Sequence, residues 1–155
     1  MFKRILVCLD GSSLAEQILP YVTEQAKQFN SKVVLLQVIT RSDAIIASMT
    51  ATGDPLMMSS QVSFEKIESE SEETKAYLSR IAKQMEDAGL DVEHVAIFDP
   101  LPGPAIVDHA SENKVDLIAI ATHGRSGLRR AISGSVADHV IRESHLPILL
   151  IRPRE

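Results

Sequence analysis

Apolar residues gather in five short runs along the chain, and polar or glycine-bearing turns separate them. Ile5-Leu6-Val7-Cys8-Leu9 stops at Asp10-Gly11-Ser12-Ser13, and Lys32 to Ile39 stops at Thr40. Val115 to Ala121 stops at Thr122-His123-Gly124, and Leu146 to Arg152 closes the series. A run that is apolar on both alternating sets is a strand buried on both faces, as in a parallel sheet covered by helices. Asp91 to Phe98 is different. Its charged and apolar residues alternate more cleanly, which predicts an edge strand with one wetter face.

Between the runs the period changes to that of a helix. Ser13-Leu14-Ala15-Glu16 has capping-box spacing and opens a helix with Ala15, Ile18, Leu19, Val22, Ala26 and Phe29 on one side. Pro20 removes an interior hydrogen bond and predicts a kink there. Asn30-Ser31 ends that helix. Phe64 to Ala88 reads as a long helix with the stripe Ile67, Ala76, Tyr77, Ile81, Met85 and Ala88. Its acidic first half (Glu65, Glu68, Glu70, Glu72, Glu73) suits the helix dipole, and Gly89 suits its C-terminal end. Pro100, Pro102, Gly103 and Pro104 make a rigid turn before a short helix that starts at Ala105 and ends near Asn113. Ser135-Val136-Ala137-Asp138 again has capping spacing and opens a last helix to about Ser144. Residues 40–63 hold no period and carry Gly53, Pro55, Met49, Met57 and Met58, so they are expected to form a flexible loop or a lid over a ligand.

Strand and helix thus alternate five times. The pattern predicts an α/β fold, an open five-stranded parallel sheet with helices on both faces and right-handed crossovers. Periodicity leaves two strand orders open. In 3-2-1-4-5 the ends of the first and fourth strands face one crevice, and in 2-1-3-4-5 they are apart. At 155 residues the chain is expected to be a single domain, 1–155.

Composition narrows the function. Hydrophobic residues make up 45% and charged ones 24%, enough to bury a core without staples. A formal net charge of −5 argues against general nucleic-acid binding, although Arg125, Arg129 and Arg130, and Arg142, Arg152 and Arg154, form local basic clusters. Cys8 is the single cysteine, so no internal disulfide forms, and its apolar run makes it a buried inert thiol. No leader-like segment opens the chain and no apolar stretch nears the ~20 residues of a membrane span, which points to the cytoplasm.

The chemistry concentrates where the fourth run ends. Thr122-His123-Gly124-Arg125-Ser126-Gly127, with Gly134-Ser135 at the next helix start, has the layout of a phosphate cradle: strand, loop of free N–H groups, helix N-terminus. Asp10 has the chemistry to accept from a ribose hydroxyl or to touch a metal, and also to form a turn before Gly11. His123 has no carboxylate partner nearby in sequence, and His94, His109, His139 and His145 are scattered without metal-ligand spacing. The chain has no G-x-x-x-x-G-K-[ST] or G-x-G-x-x-G motif and no G-x-S-x-G elbow. Without a Walker-type lysine or an evident general base, catalysis is disfavoured.

At these residues the chain resembles the universal stress proteins of the single-domain type. The likeness runs from Lys3-Arg4-Ile5-Leu6-Val7 and Asp10-Gly11-Ser12 through Thr122-His123-Gly124-Arg125-Ser126-Gly127-Leu128 and Gly134-Ser135-Val136-Ala137 to Leu146-Pro147-Ile148-Leu149-Leu150-Ile151-Arg152-Pro153. ATP-binding members resemble G-x2-G-x9-G-[ST]. Gly124 and Gly134-Ser135 match, and Ala121 stands in place of the first glycine, one methyl group larger where a nucleotide approaches. The resemblance implies the order 3-2-1-4-5, with Asp10 on the ribose and Val38 against the adenine. It implies that Gly124, Arg125, Gly134, Ser135 and Val136 cradle the phosphates beside Ala121. It implies an ATP-binding stress or regulatory module, with ATP held alone or with Mg²⁺, and a homodimer built on the last strand, Leu146 to Arg152. Weak ATP hydrolysis, or partner binding without nucleotide, are the rival readings. An apolar edge from Ile148 to Ile151 independently asks for a cover, which a second copy supplies.

Overall fold

In the computed structural model, residues 1–40, 59–122 and 135–154 are described, residues 59–67 through their backbone alone. The strands are β1 (Arg4–Leu9), β2 (Lys32–Ile39), β3 (Asp91–Phe98), β4 (Leu117–Ala121) and β5 (Ile148–Ile151). The helices are α1 (Ser13–Glu16), α2 (Leu19–Phe29), α3 (Ser59–Asp87), α4 (Pro102–Glu112) and α5 (Ser135–Glu143). All strands pair in parallel in one sheet, ordered β3-β2-β1-β4-β5. The alternating run Asp91–Phe98 does lie at an edge.

The order explains which helices cover which face. Right-handed crossovers leading away from β1 through β2 to β3 place α1, α2 and α3 on one face. There Ile5, Val7 and Leu9 meet Ile18, Val22, Ala26, Leu78, Ile81 and Met85. The chain then crosses back over β2 and β1 to β4 and continues outward to β5, so α4 and α5 fall on the opposite face. There Leu6, Cys8, Ile118 and Ile120 meet Ile106, Ala110, Ala137 and Val140. Direction reverses between β1 and β4, and a crevice opens at that point beyond the strands' carboxyl ends.

Several elements differ in detail from their sequence expectation. The first helix is capped by Ser12, one residue earlier than the capping box suggests: Ala15 N donates to Ser12 Oγ at 3.1 Å. The helix is also broken rather than kinked. α1 ends at Glu16 with Gln17 as its C-cap, and Ile18 caps α2, where Pro20 sits in the first turn and its missing N–H costs nothing. Asn30 then ends α2 in the left-handed region at φ 51°. Helix α3 starts at Ser59, inside the expected loop 40–63, and residues 41–58 lie outside the described residues. Its buried side is Thr74, Leu78, Ile81, Ala82 and Met85, while Ala76 and Ala88 are exposed. Helix α4 begins at Pro102, so the proline-rich turn is its first turn. β4 and β5 are shorter than the apolar runs that predict them.

The end of the sheet opposite the crevice is closed by charge. Asp116 Oδ2 accepts from Lys3 N and Arg4 N, both at 2.9 Å. Arg4 pairs with Glu93, and Lys32 Nζ lies 2.9 Å from the same carboxylate. These half-exposed pairs fix register more than they add stability.

Candidate functional site

The crevice is built by strand ends that stop at similar heights. β1 leads into Asp10-Gly11-Ser12, where Gly11 takes φ +83° and turns the chain away from the sheet. Asp10 Oδ1 accepts from Ser12 N at 2.9 Å and Ser12 Oγ at 2.6 Å, and Ser12 Oγ in turn accepts from Ala15 N. The Asp10 carboxylate is thereby oriented and α1 is started in one small network. β2 contributes Val38, β4 contributes Ala121, and the first turn of α5 contributes Ser135, Val136 and Ala137.

These parts enclose a cleft of about 350 Å³. Its floor is apolar, made by Cys8, Leu36, Val38, Ile106 and Ile120, and Asp10, Thr40 and Ser135 supply polar groups. The N-terminus of the nine-residue α5 meets the cleft with first-turn N–H groups that have no partner within the helix and with the positive end of its dipole. An apolar floor beside a few convergent polar groups is the ordinary form of a small-molecule site, and the volume is in the roughly 300–1,000 Å³ range of such sites.

Of the eight residues singled out from sequence, Asp10, Val38, Ala121, Ser135 and Val136 meet in this cleft. Gly124, Arg125 and Gly134 lie outside the described residues, as does His123. Beyond Val38, sequence reasoning missed the floor. Leu6 and Cys8, and Ile118 and Ile120, share a sheet face. The last of each pair, at the strand ends, therefore falls at the crevice, a signal that needs only the strand order. It also missed Pro102 and Ile106, since nothing in the periodicity of α4 says that its first turn reaches the cleft.

Cys8 is 7% exposed, and burial pushes its thiol up to about 12, so it serves the floor as a small hydrophobe. On the other face, Arg80 lies over the Tyr77 ring at 5.5 Å and pairs with Glu16 at 3.2 Å. Burial, with the Glu16 and Asp10 carboxylates, pushes the Tyr77 phenol above the usual tyrosine range. Among the described residues, no group of three or more His, Cys, Asp or Glu could hold a metal ion, and no helix is long and apolar enough to cross a membrane.

Comparison with known proteins follows the same lines. Residues 1–152 match the Universal stress protein family. Universal stress protein MJ0577 of Methanocaldococcus jannaschii is 30% identical over 162 residues, covering 98% of this chain and 96% of that one. The solved structure of MJ0577 superposes with a TM-score of 0.81 at 28% identity, covering 100% and 99% of the two chains. Two solved structures share the fold at lower identity. One is a universal stress protein in complex with cAMP, with a TM-score of 0.66, 21% identity and 97% of each chain covered. The other is the universal stress protein from Archaeoglobus fulgidus in complex with dAMP, with a TM-score of 0.65, 23% identity and 97% and 98% covered.

Proposed function

Because this chain belongs to the universal stress protein family, we propose that it is an adenine-nucleotide-binding stress-response module. In this reading the nucleotide lies between the ends of β1 and β4. The observation that carries the reading is the cleft itself: an apolar floor bounded by Asp10 on one side and the N-terminus of α5 on the other. The base packs on Val38, Cys8, Leu36 and Ile120. The ribose reaches Asp10, whose carboxylate Ser12 already orients. The phosphates lie at Ser135 and Val136, where helix N–H groups favour an anion; Gly124, Arg125 and Gly134 belong to the same cradle in this reading. The relatives solved with cAMP and dAMP support an adenine nucleotide as the ligand class.

ATP is the proposed ligand, with Mg²⁺ as its counter-ion. In this reading the phosphates carry the ion. The protein then acts by binding, at most with weak hydrolysis, and works in the cytoplasm. The β5 edge, with Leu150 exposed, is the proposed homodimer seam.

Titration calorimetry with ATP, ADP and AMP, each with and without Mg²⁺, tests the reading. Asp10→Ala is expected to weaken binding about tenfold or more, the cost of a hydrogen bond to a charged group. Asp10→Asn keeps the acceptor for Ser12 and separates loss of the ribose contact from loss of α1. No binding by the unsubstituted chain at millimolar nucleotide would overturn the proposal in favour of a stress protein that binds partners alone.

A further inference from the structure

The end of β5 and the residues after it are tied to two elements that flank the cleft. Ile151 O accepts from Thr122 N at 2.9 Å and from Thr122 Oγ1 at 3.3 Å, which ties the end of β5 to the residue after Ala121. Three residues further on, the Gln17 side chain clasps the Arg154 backbone. Gln17 Nε2 donates to Arg154 O at 2.8 Å, and Gln17 Oε1 accepts from Arg154 N at 2.9 Å. A primary amide presents the same donor and acceptor as a peptide group, so Gln17 forms the equivalent of one rung of a strand ladder.

What the rung holds is α1. Four residues are too few for a helix to sustain itself, because nucleation is costly and propagation has not repaid it. α2 does not extend it, since α1 stops at Glu16, with Gln17 as its C-cap, and a new helix is capped by Ile18. The start of α1 is held by Ser12 and Asp10, its end by Gln17, and between them Ala15 lines the cleft. The same four-residue segment is therefore tied to the residue after β4 through Thr122 and to the end of α1 through Gln17.

We propose that residues 151–154 are a strap that positions α1, with Gln17 as the positioning residue, and so sets the placement of Ser12 and Asp10 for the ligand. The proposal rests on the adenine-nucleotide reading of the cleft. Neither Gln17 nor Arg154 touches the cleft, and both act through α1. Because the clasp uses the backbone of Arg154, it requires the N–H at that position and not the guanidinium.

The test measures AMP and ATP affinity by calorimetry, and hydrogen exchange at the Ala15, Glu16, Gln17 and Ile18 amides, in the full chain. Gln17→Ala and Arg154→Pro, which lacks the N–H, are each expected to weaken binding about five- to tenfold. Both should speed exchange at the α1 amides with little change in the urea midpoint of global unfolding. The double variant should be no weaker than either single one, because both break the same rung. Arg152→Ala removes an exposed charge from the same tail and is expected to bind normally, which separates the strap from simple attraction of a basic tail for phosphate. Unchanged affinity and exchange in Gln17→Ala, or additive losses in the double variant, would overturn the strap. If the unsubstituted chain binds no adenine nucleotide, the functional reading fails, and equal α1 exchange in the unsubstituted and Gln17→Ala chains would sink the strap as well.

Discussion

Cys8 shows how one side chain reports on its surroundings. Its thiolate is scarce at neutral pH because burial pushes the group up to about 12. Native protein at pH 8 is therefore expected to react with Ellman's reagent far more slowly than protein in denaturant, which should titrate one thiol per chain. Rapid native labelling would mean that the cleft floor opens readily. Gly103 makes the complementary point about space. A Cβ there would sit 2.9 Å from His139 Cβ and Cγ, at the crossing of α4 and α5. Gly103→Ala is expected to cost about 1–3 kcal/mol of stability, the usual penalty for overpacking, as read by urea denaturation. Adding His139→Ala should return part of it, since the ring leaves and the Cβ stays. Neither the crowding nor, Val38 apart, the cleft floor was legible in sequence, because both arise between residues far apart in the chain. Asp10 was legible as a candidate, because an apolar run that stops at Asp-Gly-Ser marks the carboxyl end of a strand, and there it both forms the turn with Ser12 and lines the cleft.

Helices behaved less predictably than strands, and the reasons are local. Capping-box spacing pointed to Ser13, but Ser12 caps the helix, because its hydroxyl both accepts from Ala15 N and donates to Asp10. Ser12→Ala should lower stability by about 1 kcal/mol, the usual value of an N-cap, as measured by thermal unfolding. Pro20 read as a misfit only on the assumption of one continuous helix, and it fits well in the first turn of a second. Helix α4 carries a different kind of information. Asn113 Nδ2 lies 3.3 Å from His109 Nδ1, and His109 Nε2 is buried without a hydrogen-bond partner among the described residues. Burial lowers the His109 pKa below 6.5, and Arg4 on β1 lowers it further, against the opposing pull of Glu112 and Glu93. With the folded value depressed, the unfolded chain takes up the proton first. His109 thus favours the native state fully above the unfolded pKa, and this contribution fades as pH falls from about 6.5 toward the folded value. Thermal unfolding between pH 7.5 and 5 should show a falling midpoint that is shallower in His109→Gln. Parallel slopes would remove His109 from the account.

At the scale of the molecule, the two edges of the sheet contrast. β3 carries Asp91, Glu93 and His94 along its length, charged and polar groups that discourage pairing. β5 reads Ile-Leu-Leu-Ile with Leu150 40% exposed, and exposed Ile141 stands on α5. If β5 is the dimer seam, Leu150→Lys should shift the chain to monomer in analytical ultracentrifugation while leaving its circular dichroism intact. Strand identity and the doubly covered sheet were legible because five apolar runs admit little else. The order of the strands was not legible from periodicity, which holds no information on which run lies beside which, and it came only with the family resemblance.

That order has a consequence in time. β1 meets β2 after a short crossover, but its other neighbour is β4, and the bonds from Lys3 N and Arg4 N to Asp116 join residues 113 and 112 positions apart. Closing so long a loop costs entropy before any contact repays it, and such pairings slow folding. The β1-β2-β3 half can assemble from contacts nearer in sequence, whereas the cleft needs β4 already seated against β1. If the cleft holds a nucleotide as proposed, a newly made chain acquires that capacity last, and in a stopped-flow refolding experiment nucleotide capture should lag behind the recovery of helical signal.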